Sequence, residues 1–157
     1  MNALQRAGAG AAAGSAALLA AALAFQYLGG LAPCPLCIWQ RWPHVAAVLL
    51  GLALLATPRR EIAALGALAM LAGAGIAAYH AGVEQGWWPG PVTCTAPDVA
   101  DLTPDELLAQ ILTTPVVRCD EIAWSLFGVS MAGWNALACL ALTGIWLRAY
   151  ASSSASQ

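Results

Sequence analysis

The sequence predicts an all-α membrane protein, a four-transmembrane-helix bundle with one long periplasmic loop. Two observations lead to this fold class. Of the 157 residues, 61% are hydrophobic and 9% are charged, whereas a soluble domain carries about 25% charged residues. The apolar residues also form four long stretches, and a helix that crosses a membrane needs about 20 of them. We therefore expect residues 1–157 to form a single membrane domain.

Each apolar stretch has a length that suits one span. The predicted spans cover about residues 11–31, 40–57, 62–81 and 123–147. All four stretches are apolar on every side, which is typical of helices in a bilayer rather than of amphipathic surface helices. The first stretch, which follows Arg6, has an alternative interpretation as a cleaved signal peptide, but its length favours a retained span.

The distribution of arginine predicts how the bundle is oriented. The chain has no lysine, and in a four-span arrangement the six arginines divide into Arg6, Arg59, Arg60 and Arg148 on one side and Arg41 and Arg118 on the other. Because basic residues near span ends mark the cytoplasmic side, we expect both termini to be cytoplasmic. The loops at about residues 32–39 and 82–122 then face outward.

The longer of these loops, residues 82–122, is too small to have a core of its own. Thr103 to Glu106 form a capping box with proline at the first helical position, which predicts a short helix that ends near Leu112. The leucine and isoleucine side chains of this helix form one apolar stripe. We therefore expect the helix to be amphipathic and to lie along the lipid surface.

Five cysteines carry the candidate chemistry. Cys34, Cys37, Cys94 and Cys119 fall on the outer side, and Cys139 lies inside the fourth span. Disulfides persist in an oxidising compartment such as the periplasm. Zinc is the alternative for four cysteines, but zinc sites usually contain two close pairs, and Cys94 and Cys119 are far apart. We therefore expect no metal, and we interpret Cys139 as a small buried apolar residue.

Cys34-Pro35-Leu36-Cys37 is a candidate redox motif at the start of the second apolar segment. Pro35 fits the first helical position, which makes Cys34 the cap and Cys37 the third residue of the helix. Unpaired N–H groups and the positive helix end then face the Cys37 sulfur, and Arg41 lies on the same face one turn later. Both effects favour a thiolate. The alternative is a disulfide that only staples the turn, with Arg41 at the lipid headgroups.

Two histidines lie near the outer boundary of the predicted bundle. His44 starts the second span and His80 ends the third. Either one can be an interfacial histidine without a role in chemistry, but ionisable residues inside a bundle are functional candidates, and His80 is the stronger of the two. Ser130 and Asn135 in the fourth span are expected to make hydrogen bonds between helices.

These residues together resemble the disulfide bond formation protein B (DsbB) family, the quinone-linked membrane oxidoreductases of the bacterial periplasm. The matching segments are Cys34-x-x-Cys37-Ile38-Trp39-Gln40-Arg41, Tyr79-His80, Gly86-Trp87-Trp88-Pro89-Gly90-Pro91 before Cys94, Cys119, and Trp124-Ser125-x-Phe127-Gly128-x-Ser130-Met131-x-Gly133-Trp134-Asn135. The resemblance covers nearly the whole chain except the two termini.

The resemblance implies a quinone site at the outer end of the bundle. Cys37 would face a quinone, either ubiquinone or menaquinone, and form a charge-transfer pair with it, aided by Arg41. His80 aligns with a family histidine near the quinone ring. Gln40 departs from the pattern, because some members carry an acid at this position, and this leaves a carboxylate role there in doubt.

The resemblance also implies the thiol half of a reaction. A DsbA-like periplasmic thiol oxidase with a thioredoxin fold would attack Cys94, and Cys34 would bridge to Cys119 during turnover. The protein would then be an enzyme, a protein-dithiol:quinone oxidoreductase that generates disulfides and passes the electrons to the membrane quinone.

Two other classes of function remain as alternatives. A transporter or metal-handling protein could use the Cys/His set, but it would need ionisable residues near the middle of the spans, and these are almost absent. A structural membrane subunit could carry two inert disulfides. A nucleic-acid partner is not expected, because the net charge of −2 provides no basic face.

Overall fold

The computed structural model describes residues 1–91, 103, 105, 108 and 117–152. In these residues the chain forms four long helices and one short hairpin. They are α1 (Ala3–Tyr27), α2 (Pro35–Ala56), α3 (Arg60–Glu84), β1 (Ser125–Leu126), β2 (Val129–Ser130) and α4 (Met131–Ser152). The described residues are therefore mostly helical, as predicted, with a short β-hairpin that was not predicted. Cys94 and most of the short helix predicted near residues 103–112 lie outside the described residues.

Three of the helices, α1, α2 and α3, are long and apolar enough to cross a membrane, judged by length and composition. The outward surface of the bundle is apolar as well. Leu49 on α2, Leu68 on α3 and Leu140 on α4 are 52–61% exposed. An apolar surface of this extent is unusual on a soluble monomer and is expected where lipid covers the protein.

The four helices pack as a bundle in which α1 and α3 each lie against both α2 and α4. Small residues allow the helices to approach closely, as is usual in membrane bundles. Gly66 of α3 lies directly against the ring of Trp146 from α4, and a methyl group at Gly66 would overlap that ring. The same tryptophan is fully buried and belongs to the main hydrophobic cluster, together with Leu54 and Met70.

The two ends of the bundle differ in what they carry. At one end the side-chain amide of Gln5 donates to the carbonyl of Leu55, which ties the start of α1 to the end of α2. The opposite end contains the start of α2, the end of α3 and the start of α4. Cys34, His80 and Cys119 all lie at this second end, which we call the site end.

The start of α4 differs from the predicted span, which begins near Ala123. The helix begins at Met131, because a hairpin precedes it in which Ser125 pairs with Ser130. Phe127 and Gly128, at the turn, have φ angles of 52° and 76°. Two successive positive φ angles are typical of a tight type I′ hairpin turn and are incompatible with a helix.

Candidate redox site

The Cys34–Cys37 dithiol occupies the first turn of α2, as the sequence predicts. Cys34 is the N-cap residue and proline follows at the first helical position. The two Sγ atoms are 2.7 Å apart, and both cysteines are free thiols. The backbone N–H of Cys37 donates to the Sγ of Cys34, over 3.2 Å.

The two sulfurs of the motif differ in environment. Cys34 is only 3% exposed, whereas Cys37 is half-buried. The hydrogen bond with the Cys37 sulfur, together with burial, raises the pKa of Cys34 above its ordinary value. Cys34 therefore retains the proton that the two sulfurs share, and negative charge in the reduced pair falls on Cys37, the more accessible sulfur.

Arg41 follows Cys37 by one helical turn, and α1 holds its side chain in place. Its Nη1 donates to the Oε1 of Gln26, over 2.8 Å. In the described part of the chain no carboxylate forms an ion pair with Arg41. Its positive charge therefore remains available to a thiolate at Cys37. No local pattern identifies Gln26, because the pairing of α1 with α2 is needed to bring it to Arg41.

His80 lies beside the dithiol, near the end of α3, and is 3% exposed. Its Nε2 is 3.6 Å from the Sγ of Cys34 and 3.9 Å from a carboxylate oxygen of Glu84. Its Nδ1 is 2.7 Å from the side-chain nitrogen of Gln40. His80 therefore lies against the motif, and its ring contacts polar groups through both nitrogens. Its role beside a quinone stays a prediction.

Glu84 is a site residue that was not predicted, because it falls within the predicted outer loop of residues 82–122. Its side chain is 5% exposed, and it accepts a hydrogen bond from the hydroxyl of Ser130. That hydroxyl also caps α4 by accepting from the N–H of Gly133. The spacing of four residues between His80 and Glu84, which puts both on one helix face, is the signal that could have identified the pair.

Cys119 also lies at the site end. It is 1% exposed, it is disulfide-bonded, and it belongs to the same buried cluster as Cys34, Leu36 and Val83. The structure therefore brings three of the four predicted catalytic cysteines into one region. Cys94, the fourth, lies outside the described residues.

Arg118, which precedes Cys119, forms an ion pair at the surface of the site end. Its guanidinium forms two hydrogen bonds with the carboxylate of Asp120, of 2.9 and 2.6 Å. The same contact lowers the pKa of Asp120.

Polar contacts extend from the site into the interior of the bundle. The side-chain nitrogen of Asn135 donates to the Oε1 of Gln40, over 2.8 Å, and its oxygen lies 3.0 Å from the Nε2 of His44. This confirms the expected hydrogen bonds between helices for Asn135. Cys139 is fully buried, as predicted, but it has a polar neighbour that was not foreseen, since its Sγ lies 3.5 Å from His44.

A tryptophan-rich turn covers the end of α3. The rings of Tyr79 and Trp88 stack with centroids 5.9 Å apart, and the indole N–H of Trp88 donates to the carbonyl of Tyr79. The hydroxyl of Tyr79 donates in turn to the carbonyl of Pro89. This turn and Asp120 line a surface cavity of about 350 Å³ beside the site.

A bundle of apolar helices with a reactive dithiol, a cation and a buried histidine at one end defines a membrane thiol oxidoreductase. The family model for disulfide bond formation protein DsbB matches residues 5–149. The chain belongs to this family, and the family resemblance read from the sequence is confirmed. With it the predicted class of activity is confirmed, a quinone-linked membrane oxidoreductase that forms disulfide bonds.

Relatives from several bacteria carry the name disulfide bond formation protein B. The protein of Verminephrobacter eiseniae is 35% identical over 141 residues, which cover 85% of this chain and 77% of the relative. That of Methylococcus capsulatus is 35% identical over 135 residues, covering 81% and 82%. That of Stutzerimonas stutzeri is 31% identical over 139 residues, covering 79% and 80%. No solved structure matches the chain.

Proposed function

We propose that this protein reoxidises a DsbA-like periplasmic thiol oxidase and passes the two electrons to ubiquinone or menaquinone. One observation carries the proposal. The reduced Cys34–Cys37 pair sits at a helix start beside Arg41, while the buried Cys119, itself disulfide-bonded, packs in the same cluster as Cys34. A thiol pair next to a disulfide-bonded cysteine is the arrangement that thiol–disulfide exchange requires.

The thiol half of the reaction transfers one electron pair through two disulfides. A thiolate of the partner attacks Cys94 of a Cys94–Cys119 disulfide and releases Cys119. Cys119 then attacks Cys34 of the oxidised motif, and the sulfur of Cys37 leaves as a thiolate. The second partner thiol resolves the mixed disulfide at Cys94. The partner gains a disulfide and loses two electrons and two protons. The freed Cys94 thiolate then attacks Cys119 and releases Cys34, which restores the Cys94–Cys119 disulfide and leaves the electron pair on the Cys34–Cys37 motif.

The quinone half of the reaction begins at Cys37. A quinone held there would supply an acceptor for two electrons and two protons and would be released as a quinol. Cys37 is the more accessible sulfur of the motif, and Arg41 stabilises its charge. On the same helix Ile38, Trp39 and Trp42 are 37–68% exposed. They offer an apolar surface that suits a ring and an isoprenoid tail, so the residues present fit this group.

Energetics support a strong terminal acceptor. Oxidases of the DsbA type are poised near about −120 mV, whereas ordinary structural disulfides lie below about −300 mV. Transfer of an electron pair across this gap of ~180 mV would cost about 8 kcal/mol. Stabilisation of the reduced motif by a Cys37 thiolate offsets part of this cost, and a quinone removes the electrons.

The proposed orientation places the site end in the periplasm. All four helices span the inner membrane in this proposal, including α4, on whose surface Leu137, Leu140 and Leu147 are 52–54% exposed. The excess of arginine at the other end puts both termini in the cytoplasm. The helices and the loop between α3 and α4 then present the site both to lipid and to soluble partners.

The decisive experiment measures quinone reduction by the purified protein. Reduced DsbA-like partner and a short-chain quinone are added to protein in detergent, and the quinone absorbance is followed. The wild type and a Cys139→Ala control should turn over, whereas Cys37→Ser should not. Turnover by Cys37→Ser at the wild-type rate would refute the proposal.

A further inference from the structure

A series of hydrogen bonds through buried side-chain amides connects the dithiol to the interior of the bundle. A backbone carbonyl at its start fixes the orientation of the first amide. The side-chain nitrogen of Gln40 lies 3.2 Å from the backbone carbonyl of Leu36, one turn earlier in α2. A carbonyl oxygen can only accept a hydrogen bond. The atom of Gln40 that faces Leu36 must therefore be its NH₂ group, which fixes the orientation of this amide.

That orientation determines the protonation of His80. The same NH₂ group of Gln40 lies 2.7 Å from the Nδ1 of His80. Because the NH₂ group only donates, Nδ1 must accept and carries a lone pair. In a neutral imidazole the proton then resides on Nε2. This is the nitrogen that faces the Sγ of Cys34, at 3.6 Å, and Glu84, at 3.9 Å. The ring of His80 also donates a hydrogen bond to the backbone of Cys119.

Asn135 of α4 holds the Gln40 amide in this orientation. The oxygen of Gln40 lies 2.8 Å from the side-chain nitrogen of Asn135, which donates to it. The oxygen of Asn135 then accepts from the Nε2 of His44, over 3.0 Å. Reversal of either amide would set two donors or two acceptors face to face. The donor and the acceptor of every hydrogen bond in this series thus follow from the carbonyl of Leu36, which can only accept.

We propose that Gln40 and Asn135 are positioning residues that hold His80 in the tautomer with its proton on Nε2, so that a hydrogen-bond donor faces the Cys34 sulfur. Cys34 is the sulfur that exchanges with Cys119 in the proposed function, and it carries negative charge each time its bond to another sulfur breaks. An N–H group at this position stabilises that charge, whereas a lone pair would repel it. The two amides act through His80 and do not touch the reacting sulfurs.

The same tautomer keeps the site from acting as a metal centre. The ligand atoms of Cys34, Cys37 and His80 lie within 4.8 Å of one another, a spacing at which they could hold a metal ion. A histidine ligand must offer a lone pair, and metal-bound histidine donates its other N–H to an acceptor. Gln40 presents a donor in that place. The amide chain therefore favours redox exchange over metal capture by the reduced thiols.

Gln40→Glu is the informative variant, because a carboxylate accepts where the amide donates. In this variant the proton of neutral His80 moves to Nδ1 and the lone pair faces Cys34. Only the imidazolium form then retains an N–H toward the sulfur. Gln85→Glu is the matched control, since it adds the same charge at an exposed position just after α3.

Two measurements test the proposal. The first is ¹⁵N NMR of histidine-labelled protein in micelles, where the chain has only two histidines and His80→Gln assigns the signals. The wild type should show the Nε2–H tautomer for His80. The Nδ1–H tautomer, or an equal mixture of both, would overturn the proposal, whatever the protein catalyses.

The second measurement is the rate of exchange with the partner as a function of pH. In Gln40→Glu the rate should fall as pH rises and the imidazolium loses its proton, by about tenfold to a hundredfold, which is the worth of one hydrogen bond to a charged group. The wild type and Gln85→Glu should not show this decline. The reduced variant should also bind Co²⁺ about tenfold or more tightly than the wild type, because an acceptor on the other ring nitrogen strengthens a histidine ligand by about that factor.

A Gln40→Glu variant whose pH profile and Co²⁺ affinity match those of the wild type would refute the positioning role. The pH assay rests on the proposed function, whereas the NMR and Co²⁺ measurements do not. An inactive wild type with the expected tautomer would therefore count against the function alone. Should Gln40→Glu fail to fold, the tautomer of the wild type still decides the matter.

Discussion

Removal of the charge at Arg41 should slow quinone reduction far more than thiol exchange. Arg41 lies four residues after Cys37 in α2, where side chains share a face. Its guanidinium is held by Gln26, and it has no carboxylate partner in the described residues. Arg41→Ala therefore removes the cation nearest along the helix to the Cys37 sulfur and leaves the motif in place.

The size of the effect follows from the helix geometry. The Cβ atoms of residues four apart on a helix are about 6 Å from each other. At an effective dielectric constant of about 20, two unit charges at that distance attract by about 3 kcal/mol. That energy corresponds to roughly a hundredfold change in the population of thiolate. Arg41→Lys keeps the charge and should lose about tenfold or less, because only the planar donor geometry changes.

The assay must separate the two halves of the reaction. Stopped-flow absorbance of a short-chain quinone, mixed with reduced protein, reports the quinone half. Fluorescence of the partner, mixed with oxidised protein, reports the thiol half. We expect Arg41→Ala to lower the first rate by about a hundredfold and the second by less than about fivefold. Gln26→Leu should give a smaller loss in the first rate, since it loosens the guanidinium without removing its charge.

Two results would refute this reasoning. If Arg41→Ala reduces quinone at the wild-type rate, Arg41 serves only to anchor the helix at the lipid headgroups. If both halves slow equally, the arginine supports the fold of the site end. In that case Arg41→Ala and Arg41→Lys should also differ in thermal stability.

Three further predictions follow from the cysteines and the topology. Cys119→Ala, mixed with the oxidised partner, should accumulate a mixed disulfide in which the Cys94 thiolate has attacked the partner's disulfide, because no Cys119 thiol is present to resolve it. Mass spectrometry identifies the linked cysteine, and a link to the motif instead would mean that the outer loop is not the entry point. Cys139→Ala should retain most activity, because its thiol is fully buried and away from the dithiol; complete loss in a folded variant would place it in the electron path. Reporter fusions at Gly90 and Gln157 should read opposite sides of the membrane, and the same side for both would contradict the four-span arrangement.

Local patterns in the sequence were enough to predict the elements that depend on near neighbours. Four apolar stretches gave four helices, because helix formation in lipid requires little beyond length and hydrophobicity. The cap at Cys34 was predictable as well, since Pro35 suits only the first turn of a helix. These features are set by a few adjacent residues.

Other features depend on which helices become neighbours, and the sequence pattern does not specify these neighbours. The contact of Gln26 with Arg41 requires α1 beside α2, and that of Asn135 with Gln40 requires α4 beside α2. The turn at Phe127 escaped prediction because a non-glycine residue with positive φ is uncommon. Glu84 escaped because a carboxylate at the end of an apolar stretch is usually solvated, and here Ser130 and His80 enclose it.

The sulfur of Cys34, which reacts in the proposed function, also caps the helix, since it accepts the N–H of Cys37 in the first turn of α2. A capping bond of this kind is typically worth about 1 kcal/mol. If Cys34 turns toward Cys119 as proposed, that amide loses its acceptor and the first turn should open more readily. The rate of hydrogen–deuterium exchange at the backbone amide of Cys37 should therefore differ between redox states, so that this one amide reports whether Cys34 is bonded to Cys119.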